Sequence, residues 1–170
     1  MKLLLMRHGE AGLNGRTDAD RSLTAYGRTQ VSAVARRLLE MDLQIQKMMV
    51  SPYLRARQTA AIMSNTMLSS MSGSILNDVS DSMIATSAAG PWLEEISEAI
   101  TPEQPPESAA VAISKCFDNG DTGLVIMHQP IISRLIYYLT GQEQSMGTAN
   151  LAMIEAPLIG LGCCELKCVI

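Results

Sequence analysis

The sequence is short of several residue types, and each shortage excludes something. Its 170 residues include two histidines, one phenylalanine and one tryptophan. The four cysteines are Cys116, Cys163, Cys164 and Cys168, and no two make a C-x-x-C pair. With only two histidines beside them they offer no zinc-ligand spacing. They read as buried reduced thiols, clustered in a C-terminal strand. Basic residues are in the minority, 13 against 17 acidic ones, for a net charge of -4. That balance argues against a nucleic-acid or anionic-membrane surface and leaves room for a small basic pocket. No apolar run approaches the ~20 residues that cross a bilayer. The apolar start is too short for a secretory signal. A cytoplasmic protein is therefore expected.

What is present is a globular composition, 47 % hydrophobic and 18 % charged. One domain over 1–170 fits this length. Such a chain buries roughly two-thirds of its unfolded surface and needs no metal or disulfide to fold.

Short buried strands alternate with helices along the chain. Leu3–Met6 reads as a strand covered on both faces. Residues 9–22 form a loop, and Thr24 caps a helix carrying Val31, Val34, Ala35, Leu38 and Leu39 at helical spacing. "KMMV" (47–50) is a second strand, and Ser51-Pro52 marks the entry to a helix reaching about Met67. A short strand is expected near Ile75–Leu76, and a proline-rich connector at 101–108. A helix then leads to Phe117, a strand Leu124–Met127 delivers His128, and Pro130 opens a helix closed by Gly141. Two late strands fall near 150–155 and 163–169. The pattern is α/β: a three-layer sandwich with a mainly parallel central sheet flanked by helices, and no large cap subdomain.

Function in such folds gathers beyond the carboxyl ends of the strands. The first strand ends in Arg7-His8, the second leads to Arg55 and Arg57, and the third ends in His128. Together they would make a cationic, partly desolvated pocket in an acidic protein, suited to an anion with several oxygens such as phosphate. A helix start after Gln129 would add a positive dipole end and free N–H groups. A neutral imidazole is a nucleophile toward phosphorus, and a second, protonated histidine can stabilise the transferring group. Taken singly, each residue has a plain structural reading; only the joint pattern points to chemistry. Gln58 and Thr59 read as bonding to each other or capping locally.

"LMRHGEAG" resembles the RHG signature of the histidine phosphatase superfamily, the phosphoglycerate-mutase-like proteins. "SLTAYGRTQ" (22–30), "VSPYLRARQTA" (50–60) and "LVIMHQP" (124–130) resemble three further blocks of that family, in the same order. The short length and the run Asp18, Arg21, Leu23, Thr24, Gly27 are similar to the SixA-type protein phosphohistidine phosphatases. The resemblance implies that His8 is the nucleophile and carries the phosphoryl group. It implies that Arg7, Arg55 and His128 hold the phosphoryl oxygens, with Arg21 helping from the loop. No metal or organic cofactor is implied. Ser22 stands where a proline is common in this subgroup, which is expected to loosen the loop carrying Arg21. Residues 78–107, with Trp92 and "EEISE", read as a family-atypical insert flanking the pocket.

The general acid that phosphomonoesterases need is not evident; Asp18, Glu10, Asp78 and Glu94 are the candidates. An alkoxide needs protonation as it leaves, whereas the P–N bond of phosphohistidine is labile. The expected activity is thus dephosphorylation of a histidine-phosphotransfer domain in a bacterial phosphorelay, by a monomer, through phospho-His8. A small-molecule phosphomonoesterase of the same superfamily and a non-catalytic phosphoprotein-binding module are the rival readings.

Overall fold

A computed structural model describes residues 1–72 and 92–170. The elements follow the order β1 (Lys2–Arg7), α1 (Ala25–Glu40), β2 (Lys47–Val50), α2 (Leu54–Ser72), β3 (Leu93–Ile96), a 3-10 turn (Glu98–Ile100), α3 (Pro106–Cys116), β4 (Thr122–Met127), α4 (Ile131–Thr140), β5 (Leu151–Glu155) and β6 (Glu165–Val169). The strand expected near Ile75–Leu76 lies outside the described residues, as does Asp78.

The six strands form one sheet in the order β3-β2-β4-β1-β5-β6. β3, β2, β4 and β1 run parallel, and β5 and β6 add antiparallel pairs beyond β1. Side chains on a strand alternate between faces. Leu3 and Leu5 of β1 accordingly enter one core with Met49, Val125, Met127 and the inner sides of α3 and α4. Leu4 and Met6 enter the other with Met48, Val50, Leu124, Ile126 and helices α1 and α2. Both faces are covered, so the inner strands read as unbroken apolar runs. This is the expected three-layer sandwich.

Local signals set the helix ends. The Thr24 hydroxyl accepts from the Gly27 amide at 2.9 Å and caps α1. Gly141 closes α4 with φ 71°, a left-handed conformation that glycine adopts without a Cβ penalty. Pro130 stands one residue ahead of α4 instead of inside its first turn.

Two expectations fail. The segment after Trp92 is no insert: β3 is a full member of the sheet, and Trp92 is buried in the α1–α2 core. The C-terminal thiols are not buried: Cys168 is exposed on the edge strand β6, and Cys163 and Cys164, in the segment before it, are exposed and half-buried. The loop carrying Ser22 is tied at that residue: the Ser22 carbonyl accepts from Gly12 N at 2.9 Å, next to an Ala11–Leu23 bridge.

Candidate functional site

Strands β2, β4 and β1 are neighbours, and their carboxyl ends deliver Ser51, His128 and His8 side by side. Backbone bonds tie these ends together. The amide of His8 donates to Met127 O at 3.1 Å, that of Ser51 to Ile126 O at 3.1 Å, and that of Ala149 to His8 O at 3.0 Å. The two imidazoles, His8 and His128, then lie with ring centroids 5.0 Å apart.

Two hydrogen bonds define the His8 tautomer. Nδ1 lies 2.6 Å from the Gly9 carbonyl, which can only accept, so Nδ1 carries the proton. Nε2 then presents a lone pair, and the Nε–H of Arg55 donates to it at 3.1 Å. Burial pushes the His8 pKa down to about 4, with Arg55, Arg7 and Arg21 adding smaller repulsions, while the Gly9 bond opposes. The ring is neutral at physiological pH chiefly because it is desolvated, and only secondarily because of the arginines.

His128 is more deeply set, 1 % exposed. Burial, then His8 and Arg55, lower its pKa to about 2. It is therefore neutral, and the protonated form expected for it requires an anion beside it. Its Nε2 lies 2.7 Å from Ser51 Oγ. Tyr53 packs against its ring at 4.9 Å, and the Arg55 guanidinium lies over Tyr53. Among the described residues, His128 Nδ1 and Arg7 Nε are buried without a hydrogen-bond partner. Such orphan groups are costly and mark a place where a ligand can complete the bonding.

The arginines are held from several directions. Arg7, the last residue of β1, turns Nη1 to Met146 O at 2.8 Å. Arg55, in the first turn of α2, donates from Nη2 to Asp18 Oδ2 at 2.8 Å and from Nη1 to the Asp18 carbonyl. Arg21 donates from Nη1 to Asp18 Oδ1 and from Nε to Gly12 O, both at 2.8 Å. Arg57, in contrast, is exposed and outside the cluster. At the start of α4, Ile132 N donates to His128 O at 2.9 Å, so one of the N–H groups expected there is already engaged.

The sequence reading missed the residues that brace this cluster. Asp18 bridges two arginines, and both of them lower its pKa by hydrogen bonding. It therefore stays ionised and cannot serve as the general acid. Gln58 and Thr59 do not bond to each other: Gln58 Oε1 accepts from Leu23 N at 2.7 Å, and Thr59 Oγ1 accepts from Gly9 N at 3.2 Å. Both pin the loop that follows β1 onto α2. Glu10 is engaged by the Thr24 hydroxyl at 2.9 Å, and Glu94 lies on the exposed edge strand β3.

Residues 3–72 match the model of the histidine phosphatase superfamily (branch 1). Phosphohistidine phosphatase SixA of Escherichia coli K12 is 39 % identical over 59 residues, covering 35 % of this chain and 37 % of that protein. An uncharacterised protein of a Picosynechococcus strain is 43 % identical over 65 residues, covering 37 % of this chain and 39 % of its own length. The matched segments thus span well under half of these relatives. Across the whole fold, the structure of the protein histidine phosphatase SixA complexed with tungstate superposes with a TM-score of 0.78 at 24 % identity, over 100 % of this chain and 96 % of that one.

Proposed function

We propose that this chain belongs to the histidine phosphatase superfamily (branch 1), whose model matches residues 3–72, and is a phosphohistidine phosphatase working through a phospho-His8 intermediate. The observation that carries the reading is the lone pair of His8 Nε2, fixed by the Nδ1–H bond to Gly9 and facing Arg55. A neutral, oriented nucleophile beside a guanidinium is what attack on a phosphoryl group requires.

In the first step Nε2 attacks phosphorus, and Arg55 moves from the lone pair to a phosphoryl oxygen. Arg7 Nε and His128 Nδ1, both without partners, take the other oxygens, with Arg21 assisting from the loop. In the neutral ring Ser51 donates to Nε2 of His128 and leaves Nδ1–H for the anion; once the anion charges the ring, Nε2–H donates to Ser51 Oγ instead. The P–N bond to the substrate breaks and its electron pair stays on the departing nitrogen. Phospho-His8 keeps its Nδ1 proton on Gly9, so the ring is cationic and departs as neutral imidazole when water attacks. Tungstate, held by the SixA structure in the comparison, is a tetrahedral oxyanion of the class this cluster would bind.

The substrate reading follows from the carboxylates. Asp18 is held ionised, Glu10 is engaged by Thr24, and Glu103 accepts from Tyr53 Oη at 3.3 Å. A site whose acids are committed elsewhere suits a nitrogen leaving group better than an alkoxide. The preferred partner is a phosphorylated histidine-phosphotransfer domain of a cytoplasmic phosphorelay, met by a monomer. No helix among the described residues is long and apolar enough to cross a membrane.

The test compares phosphate release from such a domain, from p-nitrophenyl phosphate and from a sugar phosphate. Strong preference for the phosphoprotein, abolished by His8→Ala, is expected. Faster turnover of the sugar phosphate would overturn the substrate reading, and an active His8→Ala variant the mechanism. Stoichiometric binding without phosphate release would make it a binding module.

A further inference from the structure

Asp18 does more than brace arginines. His8 and the Arg55 side chain are both buried, whereas the Arg21 side chain is 29 % and the Asp18 side chain 53 % exposed. The sheet lies behind the histidines, so a phosphorylated side chain of another protein enters from solvent and its leaving group stays on the solvent side. Asp18 stands on that side, one guanidinium away from His8 Nε2, since Arg55 contacts both. Each carboxylate oxygen makes one arginine bond at 2.8 Å and keeps a further lone pair. An ionised carboxylate is thus built into the mouth of an otherwise cationic pocket.

Resting on the phosphohistidine reading above, we infer that Asp18 is a specificity-determining residue that selects substrates whose leaving group carries a positive charge. An N-phosphoimidazole protonated on its other ring nitrogen is such a group. Its N–H faces the carboxylate, the P–N electron pair collapses onto the ring as the His8–P bond forms, and neutral imidazole departs. No further proton is needed. A leaving phenolate or alkoxide instead builds negative charge beside Asp18 and is disfavoured. The same carboxylate also keeps Arg55 and Arg21 in place, which serves every substrate equally. Selectivity, not activity alone, therefore separates the two roles.

The experiment measures kcat/KM of the full chain on a peptide carrying phosphohistidine and on p-nitrophenyl phosphate. Asp18→Asn should lower the ratio of the two on the order of tenfold, and Asp18→Glu should retain it. Asp20→Asn removes a charge from the same loop without touching the arginines, since Asp20 pairs with Thr17, and should leave the ratio unchanged. If Asp18→Asn changes both substrates equally, or Asp20→Asn shifts the ratio as much, the inference is overturned. Should Asp18→Asn not fold by circular dichroism, Asp18→Glu against Asp18→Gln makes the same comparison at constant length. A wild-type chain that ignores the phosphohistidine peptide overturns the functional reading itself, a result distinct from an unchanged ratio in an active enzyme.

Discussion

Arg55 Nε lies 3.1 Å from His8 Nε2 and donates to the lone pair that would attack phosphorus. This bond caps the nucleophile, and an incoming anion must draw the guanidinium to itself before attack. Arg55→Ala should cut kcat/KM by about 10²–10³-fold, as expected for one removed donor to a charged transition state. Arg55→Lys should recover little, because a point charge cannot span the lone pair and Asp18 together. Steady-state kinetics and a thermal shift with orthovanadate check both variants, and the orthovanadate shift should disappear in Arg55→Ala.

The acid limb of the reaction should lie unusually low. His8 is the attacking base and its pKa is about 4, so kcat/KM of the free enzyme should hold down to that region and fall below it. Stability behaves differently. An unfolded histidine binds its proton near pH 6.5, whereas the folded pKa values are about 4 for His8 and about 2 for His128. The unfolded state thus takes up more protons as pH falls through 6.5, and stability should decline from there toward pH 4 and below. Denaturant titrations from pH 7.5 to 4.5 measure the decline, which should be shallower in His128→Gln.

Anion binding should charge His128. The ring is neutral because burial and cationic neighbours disfavour the proton. A phosphate dianion beside it reverses that balance. Calorimetry of phosphate binding in buffers of different ionisation heat should detect proton uptake at pH 6, and Ser51→Ala should change its extent. The same variant should lose about tenfold in activity, the scale of one hydrogen bond to a group that becomes charged.

Gly27→Ala should destabilise the fold by about 1–3 kcal/mol, the usual range for forced overpacking. A Cβ there would meet the Glu10 carbonyl oxygen at 2.1 Å, and one on Gly9 would meet the Gly27 carbonyl oxygen at 2.6 Å. Gly9 is thus required by the close approach of α1. Thermal denaturation of Gly9→Ala and Gly27→Ala should give losses of similar size.

Much of this was legible because the informative groups lie next to one another in the chain. The apolar run before Arg7-His8 fixes a strand and its end in a single stretch, and the run before His128 does the same. Asp18 was opaque for the opposite reason: its meaning depends on Arg55, 37 positions away and on a different element. Gln58 and Thr59 were misread likewise, since their partners Leu23 and Gly9 belong to a loop that meets α2 only in space. β3 gave no signal because all four of its residues are exposed, which removes the alternation that betrays a strand. The cysteines misled because the thiol content of a strand says nothing about whether that strand is central or marginal.

β1 is bonded on both flanks, to β4 and to β5, and His8 itself is bonded to Met127 and Ala149 across those two neighbours. In amide hydrogen exchange its protons should be among the slowest, released only when the whole sheet comes apart. The 10–22 segment that carries Asp18 and Arg21 is mostly exposed and should exchange early. The protein would then keep two clocks in one site, a slow one for the atom that attacks and a fast one for the groups that judge what is attacked.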